Sequence, residues 1–229
     1  AAFFTLEAGA SPLLDAAFAR YSDIAFPHAS SHLISADAIS EVKVSIVDLD
    51  ESHPQLGTDE SYTLNVGLTS ATVHAHTVYG GLRALETFSQ LVRFDFEAEA
   101  YVIDAAPWVI TDAPRFPHRG LMIDTARHYE PLASIRAIID SLAYAKLNVL
   151  HWHMADSQSF PFQSASRPRL WNAAYAPSQR YTHADVASVV EHARLRGVRV
   201  IVEFDMPGHA QASPSPCPHD RPREGCACQ

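Results

Sequence analysis

From residue 119 onward the chain alternates short apolar runs with helical patterns, and each apolar run ends in a cluster of charged and polar residues. The runs are RGLMID (119–124), LNVLHWHM (147–154) and VRVIVEFD (198–205). They are rich in Val, Leu and Ile with little alternation, as parallel strands buried on both faces are. Between the first two, Ile135, Ile138, Ile139, Leu142 and Ala143 form one helical stripe. Pro131 opens it, at a position where the missing N–H costs little. Between the second and third, a helix spans roughly His183 to Arg196 and ends at Gly197, which suits a left-handed cap. Parallel strands need long crossovers, so this order predicts an α/β architecture over 116–212, with right-handed connections.

The polar clusters fall at the C-terminal end of each run, where the loops of a parallel α/β fold converge and ligands bind. Asp124, Arg127, His128 and Tyr129 follow the first run. His151, His153, Asp156 and Ser157 belong to the second, and Glu203, Asp205 and His209 to the third. A lone His or Asp is more often structural than functional. Three consecutive strands delivering charge to one rim is a stronger signal, and it predicts that Arg127, Asp156 and His209 face a common space.

Residues 1–115 read differently. Leu13, Leu14, Ala17, Phe18 and Tyr21 have helical spacing after Pro12. EVKVSIVDLD (41–50), SYTLNVGL (61–68) and ATVHAHTV (71–78) read as strands, and GGLRALETFSQLVRF (80–94) returns to helical periodicity. Strands with covering helices imply an α+β accessory domain. The stretch 111–119, with its two prolines, reads as a linker. A Pro/Cys-rich tail (213–229) has no apolar periodicity and holds all three cysteines, Cys217, Cys226 and Cys228. Their spacing matches no four-ligand zinc pattern. A net charge of −9 argues against nucleic acid or an anionic membrane surface as partner. No run approaches the length of a membrane span, and the N-terminus does not read as a signal peptide.

RGLMIDTARHYEP (119–131), KLNVLHWHMADSQSFPF (146–162) and GVRVIVEFDMPGHA (197–210) closely resemble the first three barrel strands of family 20 β-N-acetylhexosaminidases. YGGLRALETFSQL (79–91) resembles the helix of that family's zincin-like N-terminal domain. The resemblance covers about residues 10–212 and implies a zincin-like α+β domain followed by the first three βα units of a (β/α)8 TIM barrel. It implies a pocket for a non-reducing N-acetylhexosamine, with Arg127, Asp156 and His209 binding substrate. Asp124, His151, His153, Glu203 and Asp205 would form a supporting polar network. Neither cofactor nor metal is expected. The partners implied are terminal N-acetylhexosamine residues of glycoconjugates, with a lysosomal or extracellular setting and a homodimer in full-length relatives.

In that family an Asp-Glu pair after strand four orients the substrate acetamide and protonates the leaving oxygen. No such pair follows the third strand here, so the expectation is a truncated chain without turnover of its own. A noncatalytic sugar-binding remnant is the first alternative. The second is a metal-dependent barrel hydrolase, since His151 and His153 alternate on a strand and so share a face. Barrels of that kind carry HxH on strand one, whereas here it falls on strand two.

Overall fold

The computed structural model describes residues 3–28 and 38–212. Its elements run β1 (Phe4–Leu6), α1 (Pro12–Ala25), β2 (Val42–Asp48), β3 (Tyr62–Val66), β4 (Ala71–Thr77) and α2 (Val78–Leu91). Then come β5 (Val92–Asp95), β6 (Ala100–Ile103), β7 (Trp108–Asp112), β8 (Gly120–Asp124), α3 (Leu132–Tyr144), β9 (Val149–Ala155), α4 (His183–Arg194) and β10 (Arg199–Phe204). The cysteine-bearing tail read from residue 213 lies outside the described residues. No helix among them is long and apolar enough to cross a membrane.

The first part is a five-stranded mixed sheet in the order β1-β2-β4-β3-β7, with α1 and α2 packed on one face. Ser11 caps α1 by accepting from the Leu14 amide at 3.1 Å, ahead of Pro12 in the first turn. The stripe Leu13, Leu14, Ala17, Phe18 and Tyr21 is buried as its spacing predicts. Gly80 lets α2 lie close to the sheet. A Cβ there would stand 2.4 Å from the Ser61 carbonyl oxygen, inside contact distance.

Two readings of this part need correction. The helix expected over 80–94 stops at Leu91, and Val92 leaves in extended conformation to begin the β5–β6 hairpin. Val92 and Phe94 favour a strand, and the hairpin sets Phe94 edge-to-face against Tyr101, which a longer helix would forgo. The linker expected over 111–119 begins two residues later, because β7 runs through Asp112 and pairs antiparallel with β3.

The second part is a three-stranded parallel sheet in the order β10-β9-β8, with α3 and α4 as its crossovers. Ile123, Trp152 and Val202 face the helices in one row across the strands, packing with Ile135, Ile139 and Val189. Pro131 turns out to precede α3 as its N-cap rather than open it. Gly197 has φ +67°, the left-handed conformation expected of it, and Thr182 with Asp185 forms a capping box at the start of α4. The expectation that all three strands are buried on both faces fails for two of them. Only β9 is so buried, while Leu121, Met122 and Ile201 on the edge strands are substantially exposed.

The two parts meet at a buried carboxylate. Glu60, just before β3, accepts from Arg83 Nε on α2 at 2.6 Å and from Arg119 Nη2, ahead of β8, at 2.7 Å. Its other oxygen accepts from Asn148 Nδ2, ahead of β9, at 2.7 Å. Arg83 also donates to the Gly197 carbonyl ahead of β10 at 2.9 Å. Burial opposes the charge on Glu60, but the guanidinium groups of Arg83 and Arg119 outweigh it and hold its pKa below the usual carboxylate value. Removing one member of a buried charge cluster leaves the others uncompensated. Glu60→Ala is therefore expected to destabilise the protein by about 3–5 kcal/mol, measured by urea unfolding followed by circular dichroism. A loss near zero would show that the cluster does not join the two parts.

Candidate active site

The eight residues expected to bind substrate or support it belong to one connected network at the C-terminal edge of β8, β9 and β10. Its centre is Asp156, in the loop after β9, whose side chain is fully buried. Asp156 Oδ1 accepts from the Ser157 amide at 2.6 Å and contacts His209 Nδ1 at 3.1 Å. Oδ2 lies 2.8 Å from His153 Nε2 and 2.7 Å from Arg127 Nη2. A carboxylate has about four acceptor positions, and all four are taken. Burial pushes the Asp156 pKa upward, but the Ser157 amide, the two imidazoles and the Arg127 charge overcome this and bring it down to about 2.

Arg127 is held from three sides. Its Nη1 donates to Asp124 Oδ2 at 2.5 Å, its Nε to Gln158 Oε1 at 3.0 Å, and its Nη2 pairs with Asp156. Asp124 also accepts from the Ala126 and Arg127 amides, which folds the chain after β8 into a tight turn. Despite these contacts the Arg127 side chain remains 36% exposed. Arg127 is therefore tied to three partners and is not a lone surface pair with Asp124.

Asp124, His153 and Glu203 lie in one register row across the sheet, which places their side chains on the face opposite the helices. Glu203 Oε2 lies 3.1 Å from His153 Nδ1 and 2.5 Å from His151 Nε2. The ring of His153 joined to Glu203 lowers the carboxyl pKa, and burial costs less than that contact gains. Burial alone would lower the pKa of His153, but Glu203 and Asp156 on its two nitrogens raise it instead. His209 has φ +57°, in the left-handed region that few non-glycine residues adopt, and it sits 3.9 Å from Asp205 Oδ2. His151 and His153 do share a face, as their alternation requires. Each nevertheless directs a nitrogen at the same Glu203 oxygen.

Other residues here gave little warning in the sequence. Gln158 is one polar residue in a polar loop, and only its contact with Arg127 sets it apart. Tyr175 donates to the Arg127 carbonyl at 3.2 Å from 48 residues away. Trp152 Nε1 donates to Thr125 at 2.8 Å beneath the site, and Ser159 donates to the Ala126 carbonyl. By contrast His128 is exposed and outside the network, and Tyr129 stacks on Tyr181.

The family model described as "Glycosyl hydrolase family 20, catalytic domain" matches residues 116–221, and one described as "beta-acetyl hexosaminidase like" matches 8–91. The chain belongs to glycosyl hydrolase family 20. It is 46% identical over 222 residues to "Beta-hexosaminidase 1" of Arabidopsis thaliana, an alignment spanning 89% of this chain and 41% of the relative. With "Beta-hexosaminidase subunit beta" of Mus musculus it shares 45% identity over 208 residues, covering 87% of this chain and 38% of the relative. The chain thus spans about two-fifths of the length of these relatives. Among solved structures, the Flavobacterium johnsoniae chitobiase superposes with a TM-score of 0.77 at 27% identity, over 91% of this chain and 32% of that one. The catalytic-domain match runs to residue 221, nine residues beyond the point where the recognisable motifs stop.

The family is one of glycoside hydrolases, and the parallel sheet fits its barrel fold. The network also makes a prediction about acid stability. Because Asp156 has a folded pKa depressed below its unfolded value, its contribution is present above about pH 4 and is lost as pH falls towards about 2. Asp156→Asn should flatten that limb of the stability curve, read from urea midpoints between pH 2 and pH 5. An acid limb identical to the wild type would remove Asp156 as its source.

Proposed function

We propose that this chain is part of a β-N-acetylhexosaminidase that releases terminal non-reducing GlcNAc or GalNAc from glycans with retention, using the substrate's own acetamide as nucleophile. The observation that carries this reading is the single network uniting Arg127, Asp156 and His209 at the strand edge of a family 20 chain. A guanidinium has five N–H groups, and three on Arg127 are committed to Asp124, Gln158 and Asp156. One N–H remains on Nη1, while Nη2 also lies 3.4 Å from His209 Nδ1. A planar guanidinium fork held at the pocket edge suits vicinal sugar hydroxyls, which a Lys ammonium would not match.

Asp156 has no acceptor position to spare, so its role is to hold Arg127 and His209 rather than to touch the sugar. Ionised Asp156 favours the His209 tautomer with its proton on Nδ1, leaving Nε2 as an acceptor at the exposed rim. In outline, residues 1–115 are the zincin-like accessory domain and residues 116–212 the opening βα units of the barrel. The terminal N-acetylhexosamine is the partner, and the setting is lysosomal or extracellular.

No Asp-Glu pair follows β10 within these 229 residues. General acid catalysis typically contributes 10²–10⁴-fold, and orientation of the acetamide contributes more. The 229-residue polypeptide alone is therefore expected to bind N-acetylglucosamine weakly and to turn nothing over. Isothermal titration should detect binding that Arg127→Ala reduces by about tenfold or more, in line with the loss of hydrogen bonds to a charged group. A fluorogenic N-acetyl-β-glucosaminide should stay uncleaved. Turnover that survives repurification and vanishes in Arg127→Ala would show that the acid lies among the residues described.

A further inference from the structure

His153 is 5% exposed, and each of its ring nitrogens faces a carboxylate on a different element. Nε2 meets Asp156 Oδ2 at 2.8 Å and Nδ1 meets Glu203 Oε2 at 3.1 Å. A neutral imidazole has one N–H and one lone pair, so it satisfies only one carboxylate and directs its lone pair at the other. Either the ring carries both protons or one of the acids is protonated. Asp156 is the wrong place for that proton, since the Ser157 amide and Arg127 already donate to it. Glu203 is no better, because two imidazole rings face the same oxygen and hold its carboxyl pKa below the usual value.

The surrounding charge gives the same answer. Asp124 from β8, Asp156 from the β9 loop, and Glu203 and Asp205 at the end of β10 are four acids around one space. Arg127 pairs with Asp124 and Asp156 only. His151 and His209 are the other titratable groups of the cluster, and both are more exposed than His153.

We propose that His153 is a positioning residue of the sugar pocket, a doubly protonated imidazolium that ties Asp156 to Glu203 and so fixes the Arg127 fork. Asp156 is gripped by His153 and Arg127 through one oxygen, so a shift of the ring is felt at the guanidinium. Glu203 anchors the far side of that ring to β10. The link therefore crosses from β8 to β10 through a single cation on β9. The part concerning Arg127 rests on the sugar-binding reading above, whereas the protonation state of the ring does not.

The test is long-range ¹H–¹⁵N NMR on the 229-residue protein with labelled histidine, the His153 signal being assigned by its absence in His153→Gln. Both ring nitrogens of His153 should be protonated at pH 7. In Glu203→Gln the amide donates to Nδ1 instead, and the ring should become neutral with its proton on Nε2. Glu203→Gln should also weaken N-acetylglucosamine binding by about tenfold. A wild-type ring that is neutral at pH 7 overturns the proposal whatever the variants do, and so does a ring whose protonation Glu203→Gln leaves unchanged. Absence of any sugar binding alongside an imidazolium ring would instead sink the substrate reading, so the two failures are distinct.

Discussion

The buried carboxylate of Glu60 is the contact on which the arrangement of the two sheets depends. It lies in the first part, yet its partners Arg119 and Asn148 stand immediately before β8 and β9, and its neighbour Arg83 reaches the turn before β10. One anion thus gathers the N-terminal ends of all three parallel strands against α2. The chemistry-bearing residues are at the opposite ends of the same strands. In barrel folds the N-terminal face carries stability and the C-terminal face carries function. Here the two polar clusters sort themselves that way: one is sealed between layers, and the other is open enough to leave Arg127 and His209 exposed.

Both clusters show how burial and pairing trade off. A carboxylate removed from water stays ionised only where donors outweigh the loss of hydration. Glu60 meets this with two guanidinium groups and an amide. Asp156 meets it with an amide, a guanidinium and two imidazoles. The consequence for Asp156 is that its lone pairs are spent internally. It serves the pocket by fixing what surrounds it, and the groups left with unused hydrogen-bonding capacity are those at the rim.

Much of this was legible in the residues. The Val-, Leu- and Ile-rich runs at 119–124, 147–154 and 198–205 became the parallel strands, because the helical stripes between them supply the crossovers that parallel pairing needs. The period of two placed His151, His153 and Glu203 on one face once the strands paired in register. Gly197 was readable as a left-handed cap because a side chain is disfavoured there. Less legible were β5, β6 and β7, short strands whose identity comes from a hairpin and from pairing with β3 rather than from local periodicity.

The sequence by itself determined the α/β alternation, the family to which the chain belongs, and the set of residues that gather at the strand ends. These follow from local rules and from motifs that are contiguous along the chain. Only the tertiary structure decided which of those residues touch. It made Asp156 a buried hub instead of a rim contact, set His153 between two acids and brought Gln158 and Tyr175 to Arg127. It also made Glu60, an unremarked acid in a surface-like stretch, the anchor between two layers. The reason is distance along the chain. Glu60 and Asn148 are 88 residues apart, and Asp156 and His209 are 53 apart. Whether an ionisable side chain is solvated or enclosed depends on partners that no local pattern announces.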